Sequence, residues 1–132
     1  MLDTSTVIVL GRLADASDLP AESVISSITL AELSVGPHVA RTARERAARQ
    51  AHLQQAESDF DTIPFGPEAA RAFGRVASSL RRAGRKPTAR AYDALIAASA
   101  IAEGIPLFTC NPSDFEGIEG LDVRLVAHPD QH

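Results

Sequence analysis

Residues 1–10 read MLDTSTVIVL. The β-branched and apolar residues between positions 2 and 10 would pass for a buried strand, except that Asp3 stands ahead of Thr4, Ser5 and Thr6. A carboxylate among apolar residues needs partners, because burying it alone is costly. Placing Asp3 at the carboxyl end of the first strand, or just past it, reconciles the two. Only Met1 and Leu2 then precede it, so the strand is very short. Local Asx-turn chemistry with the following hydroxyls is the simpler use of the same acid.

Outward from this stretch the punctuation is strong. A polar segment with Asp15, Asp18 and Pro20 leads to a short strand at Val24-Ile25. Thr29-Leu30-Ala31-Glu32 has the form of a capping box, a hydroxyl followed by a carboxylate three residues on, and the helix it opens should stop near Gly36-Pro37. Residues 40–58 read as a polar helix, and Phe60 to Phe65 as a short strand. Gly66-Pro67 opens a helix with proline in its first position; Ala69, Phe73, Val76 and Leu80 carry its apolar stripe to Gly84. Thr88 is placed to cap a further helix that carries Tyr92, Leu95, Ile96 and Ser99 and closes at Gly104. Strands at Ile105 to Thr109 and Val123 to Val126 flank the turn Asn111-Pro112-Ser113-Asp114. Strands alternating with helices imply one α/β domain over residues 1–132, a parallel sheet covered on both faces. Ligands of such sheets sit outside the carboxyl ends of the strands.

Composition narrows the class. The chain has 132 residues, of which 45% are hydrophobic, enough for one folded domain with a core of Ala, Leu, Ile and Val. A single cysteine, Cys110, excludes an internal disulfide and a zinc site of its own, as expected of a reducing cytoplasm. No secretory leader and no membrane-spanning run is expected. The net charge of −4 is unevenly spread: residues 41–90 hold eleven basic side chains against five acids, while the flanking segments are acidic. A basic stretch beside acidic ones is either a solvated helical face or the rim of a site for a polyanion.

Four acids stand where that sheet would gather them. Asp3 ends the first strand, Asp114 follows the Ile105–Thr109 strand, and Glu32 and Asp93 lie near the starts of helices. Each has a simpler use: an Asx turn for Asp3, the capping box for Glu32, a turn for Asp114. Asp93 could pair with Arg85, Lys86 or Arg90, although it shares a helical stripe with Ile96, Ala97 and Ala100. Together, converging carboxylates repel one another unless a cation neutralises them. Oxygen ligands without His or Cys suit a hard divalent ion, Mg²⁺ or Mn²⁺, which can activate a water for attack on phosphorus. His38, His52, His128 and His132 read as surface residues, and Cys110 as a small packing residue.

The phrases Leu2-Asp3-Thr4-Ser5, Ser27 to Leu33, Tyr92-Asp93-Ala94-Leu95-Ile96-Ala97-Ala98, Thr109-Cys110-Asn111 with Asp114-Phe115, and the closing Gly117-Ile118 and Gly120-Leu121 resemble the PIN-domain ribonucleases. More narrowly, they look like VapC-type toxins of type II toxin–antitoxin pairs, over essentially the whole chain. The resemblance implies a three-layer α/β/α sandwich and Mg²⁺- or Mn²⁺-dependent endonucleolytic cleavage of RNA phosphodiester bonds. It implies Asp3 and Asp93 as principal metal ligands and catalytic groups, completed by Glu32 and Asp114. Thr4, Ser5, Thr109 and Asn111 would orient carboxylates or waters. A homodimer and a hetero-oligomer with an antitoxin that places a basic side chain in the acidic pocket are implied too. The sequence departs from the pattern at Cys110, where arginine is frequent, and at Pro112 beside it. The basic residues Arg81, Arg82, Arg85, Lys86 and Arg90 just ahead of Asp93 suit RNA phosphates.

Other readings are a PIN fold without catalysis that binds antitoxin or RNA, a haloacid-dehalogenase-like phosphatase, and a receiver domain. The phosphatase needs Asp-x-Asp where Asp3-Thr4-Ser5 stands. The receiver needs a lysine ending a late strand, whereas the only lysine, Lys86, lies in a loop.

Overall fold

The computed structural model describes residues 1–13, 17 and 19–130. Asp15, Asp18 and His132 lie outside the described residues. The helices are α1 (Thr4–Val9), α2 (Ser27–Val35), α3 (Ala43–Asp59), α4 (Pro67–Arg82) and α5 (Ala91–Glu103). The strands are β1 (Val24–Ser26), β2 (Asp61–Ile63), β3 (Leu107–Thr109) and β4 (Val123–Leu125).

β1 pairs in parallel with β2, and β3 in parallel with β4. The N-terminal residues join the two pairs. Leu2 donates its N–H to Val24 O at 2.9 Å on one side and makes a parallel bridge to Phe108 on the other. Phe108 N donates to Met1 O at 2.8 Å, and the Met1 nitrogen to Pro106 O at 2.8 Å. Two residues suffice as the central strand because they are bonded on both edges and both are buried. The spatial order is therefore β2, β1, Leu2, β3, β4.

Alternation along these short strands sorts the core into layers. Leu2, Ile25 and Phe108 meet Val7, Leu33, Leu53 and Ala56 from α1, α2 and α3. Met1, Val24 and Leu107 meet Ile96, Ala97 and Ala100 of α5 on the opposite side. Helix α4 packs outside α5 through Ala72, Val76 and Leu80 against Ala94 and Ala98. The expected α/β/α sandwich is present.

Three local expectations are corrected. The stretch after Asp3 is helical: Asp3, in extended backbone, accepts from Thr6 N and so caps α1. Valines and isoleucine cost a helix only tenths of a kcal/mol each, and burial of Val7 and Val9 outweighs that. The Thr29–Glu32 capping box does not form, because α2 starts at Ser27 with Ser26 Oγ accepting from Thr29 N. Thr88 caps nothing: it sits in a 3-10 turn, Pro87–Arg90, and Arg90 holds the cap position of α5 without a side-chain cap bond. Helix α5 closes at Gly104, whose φ of 68° puts it in the left-handed region that glycine tolerates.

Candidate active site

The strands end on one side. Asp3 follows Leu2, Ser26 ends β1 and Thr109 ends β3, so the helices and turns that leave them start around a shared edge. Asp3 is 3% exposed, and its carboxylate is held on every side. Thr6 supplies its N–H to Oδ1 at 3.0 Å and its hydroxyl at 2.7 Å. Thr109 Oγ1 donates to Oδ2 at 2.6 Å, and Ser5 Oγ lies 3.0 Å from both oxygens. Asp3 is thus both a helix cap and a fixed member of the site.

Glu32 projects to the same edge from the second turn of α2. Thr4 Oγ1 lies 2.7 Å from Glu32 Oε1 and 3.0 Å from Thr29 Oγ1. The carboxylate can only accept, so Thr4 spends its single proton on Glu32 and accepts from Thr29. A hydroxyl chain, and not a capping box, fixes Glu32.

Asp93 lies in the first turn of α5 and Asp114 in the 3-10 turn Pro112–Phe115 after β3. Pro112 occupies the first position of that turn, where a proline needs no N–H partner. The Asp93 carboxyl is pushed up to about 6, first by burial and then by the negative charges of Asp114, Asp3 and Glu32, with Arg90 opposing. All four acids therefore share one electrostatic field. Arg90 Nη1 lies 2.9 Å from Asp114 Oδ1 and 3.8 Å from Asp93 Oδ2.

The remaining sequence candidates have distinct places. Asn111 acts through its backbone: its N–H donates to Thr109 Oγ1 at 3.0 Å, and its carbonyl accepts from Asp114 N at 3.0 Å. Arg85 Nη1 donates to Glu116 O at 2.6 Å, tying the end of α4 to the turn that carries Asp114. Gly117 lets that approach happen: its φ is 86°, and a Cβ there would meet Ala83 Cβ at 3.0 Å. Arg82 pairs with Glu119 at 3.0 Å. Arg81 and Lys86 are exposed and form no ion pair among the described residues. Lys86, Arg85, Arg90, Asp114, Leu80 and Ile118 line a cleft of about 210 Å³ beside the acids.

Two surface assignments are corrected. His52 is half-buried, with Nε2 3.2 Å from Val7 O, and His128 is half-buried, with Nδ1 accepting from Asp130 N at 3.1 Å. Cys110 is buried behind Asp3, 3.8 Å from Thr6 Oγ1, and burial pushes its thiol up, away from reactivity. Thr6 is a site residue that the motifs do not single out. Its signal is a third hydroxyl, three residues after Asp3, at the position an N-cap acid bonds.

The donor set is all oxygen, and Arg90 pairs with two of the four acids, Asp93 and Asp114. That chemistry fits a hard divalent ion. Among the described residues, no three acid, histidine or cysteine side chains stand together as a formed ligand group. Side chains around Arg90 would have to rearrange to receive the ion.

The fold is a parallel α/β/α sandwich that carries acids from four separate segments, Asp3, Glu32, Asp93 and Asp114, toward its carboxyl edge. A family model described as PIN domain matches residues 1–121, and the chain belongs to that family. It is 32% identical over 133 residues to Ribonuclease VapC1 of Rickettsia felis, covering 98% of each chain. It is 36% identical over 122 residues to Ribonuclease VapC5 of Mycobacterium tuberculosis, covering 91% of this chain and 87% of that one. Its fold matches a chain of VapBC-5 of M. tuberculosis, a member of the VapBC family of toxin–antitoxin systems, with a TM-score of 0.82 and 33% identity, over 95% of this chain and 96% of that one.

Proposed function

We propose that this protein is the toxin of a type II toxin–antitoxin pair, an endoribonuclease that hydrolyses RNA phosphodiester bonds with Mg²⁺ or Mn²⁺. The observation that carries the reading is the placement of Asp3, Glu32, Asp93 and Asp114, from four separate segments, toward one edge of the sheet, where Arg90 lies 2.9 Å from Asp114 and 3.8 Å from Asp93. The upward push on the Asp93 carboxyl by burial and by the other three acids is of the kind that clusters at functional sites. Relatives named ribonucleases, aligned nearly end to end, support the same activity.

Asp3, Glu32, Asp93 and Asp114 would hold the ion. When bound, it would neutralise the phosphate and make a water nucleophilic near neutral pH. The chain's own residues prepare that site. Thr6, Thr109 and Ser5 hold Asp3 in one rotamer, and Thr4 does the same for Glu32. Asn111 shapes the turn that presents Asp114. Without a metal, burial and the charges of Asp114, Asp3 and Glu32 push the Asp93 carboxyl up to about 6.

RNA would approach over the basic side of the site. Arg81 and Lys86 offer uncommitted charge, and Arg82, Arg85 and Arg90 line the same approach while also bracing the fold. An antitoxin partner is supported by the VapBC-5 likeness and by a second surface. There, Ile8, Val35 and Val39 are exposed on the α1–α2 side, next to a hollow of about 620 Å³ that reaches Thr4 and Glu32. A partner seated there could extend into the acids. Homodimer formation belongs to the same reading. No described helix is long and apolar enough to cross a membrane.

The test is RNA cleavage by purified protein in Mg²⁺ or Mn²⁺, with and without EDTA, beside Asp93→Asn. Cleavage that needs the metal and vanishes in the variant is expected. A folded protein that cuts no RNA under any divalent ion would leave the non-catalytic binding reading in its place.

A further inference from the structure

Arg90 stands where its own helix disfavours it. It occupies the cap position of α5, makes no side-chain cap bond, and brings a positive charge to the positive end of the helix dipole. The acids account for it. Its Nη1 lies 2.9 Å from Asp114 Oδ1 and 3.8 Å from Asp93 Oδ2, bridging two acids from different elements. It is the only cation in ion-pair contact with any of the four acids among the described residues.

A divalent ion bridging Asp93 and Asp114 would enter the space between the two carboxylates that this guanidinium now takes, beside Asp114 Oδ1 and Asp93 Oδ2. Carboxylate ligands of Mg²⁺ lie about 2.0–2.1 Å from the ion. A guanidinium bridging the same pair would face it at close range with like charge. The two cations compete. The side chain is about half exposed, 52%, so it has solvent to swing into.

Building on the metal-dependent reading above, we infer that Arg90 is the resident counter-cation of the acid cluster, which a divalent ion must displace to load the site. Arg90 thereby sets the metal concentration at which the site fills. While the site is empty, the same contact holds Asp93 and Asp114 together against their repulsion.

The experiment is calorimetric titration of full-length protein with Mn²⁺, at one pH and ionic strength. It compares wild type with Arg90→Ala and Arg90→Gln, and with Arg75→Ala as a control for loss of one charge away from the acids. Arg75 is exposed on α4. Removing a partly exposed ion-pair partner of two ligands should tighten Mn²⁺ binding roughly tenfold in both Arg90 variants. Arg75→Ala should stay within about twofold. Without divalent ions both Arg90 variants should melt below wild type, and saturating Mn²⁺ should close that gap. Arg90 variants that bind Mn²⁺ no tighter than wild type would overturn the inference and leave the metal reading intact. So would an Arg75→Ala variant that tightens equally, since net charge would then explain the gain. Failure of wild type and every variant to bind Mn²⁺ would remove the metal reading and this inference with it.

Discussion

Thr109 Oγ1 donates to Asp3 Oδ2 at 2.6 Å across 106 positions of sequence. The bond joins the end of β3 to the first residue after the central strand and is shielded from solvent on both sides. It ties the sheet's register to the rotamer of an acid at the site. A slip of β3 against Leu2 would carry Thr109 away from Asp3.

Thr109→Val keeps the shape and removes the donor. A buried acceptor left short of a partner costs about 1–3 kcal/mol, so urea unfolding should show a loss of that size, and RNA cleavage should fall well below wild type. Thr109→Ser, which keeps the hydroxyl, should recover most of both. Equal stability in the valine variant would mean that Thr6 and Ser5 hold Asp3 alone.

Leu2 is fully buried in the middle of the sheet. Leu2→Ala leaves its backbone bonds to Val24 and Phe108 possible but opens a cavity. The expected loss is about 2–5 kcal/mol, read as a drop in melting temperature. A change within experimental error would show that the core can collapse around the site.

Asp93 gives a pH signature in protein stripped of divalent ions. Its carboxyl is raised in the fold to about 6, above its ordinary value near 3.9 in an unfolded chain. The folded state therefore binds this proton more tightly. The favourable contribution is complete below about pH 4 and is lost as pH rises through 6. At pH 7 the ionised group weakens the fold, by order of 2 kcal/mol after allowance for solvent screening. Asp93→Asn should accordingly melt above wild type at pH 7 in EDTA, with the gap shrinking toward pH 4. The same variant should not cut RNA. A gap that is constant across that range would contradict the electrostatic origin of the shift.

Arg81 and Lys86 test the RNA approach. In an Asp93→Asn background, which prevents cutting, Arg81→Ala with Lys86→Ala should weaken binding of single-stranded RNA. Each phosphate that is no longer neutralised should lower the steepness of log affinity against log salt by about 0.7, so a decrease between about 0.7 and 1.4 is expected. An unchanged salt slope would place the RNA elsewhere.

Much of this site was legible in the chain because motif residues sit next to structural punctuation. Asp3, Asp93 and Asp114 fall at or near expected boundaries between elements, Glu32 falls inside α2, and the charges of all four act on one another in the structure. What local sequence could not supply is who pairs with whom. Glu32 matched a capping box because spacing alone cannot tell a cap from a helix interior; Ser26 won the cap since β1 ends there. Arg90 owes its place to Asp114, across the fold, whereas Thr6 is fixed locally, three residues after the cap Asp3.

The order of apolar runs, prolines, glycines and acids by itself determined a parallel α/β domain with four carboxylates near one sheet edge. Those signals are local, and short-range sterics and periodicity read them. Tertiary structure alone decided that two residues form the central strand and that the β-branched run after them is a helix. Leu2 is a strand because Val24 and Phe108 supply hydrogen bonds on both sides. Thr4–Val9 is a helix because Asp3 caps it and the sheet face buries Val7 and Val9. The strand rests on partners distant in the chain, and the helix on its neighbouring cap together with the distant sheet face; their combined free energy exceeds the tenths of a kcal/mol by which each residue prefers one backbone conformation.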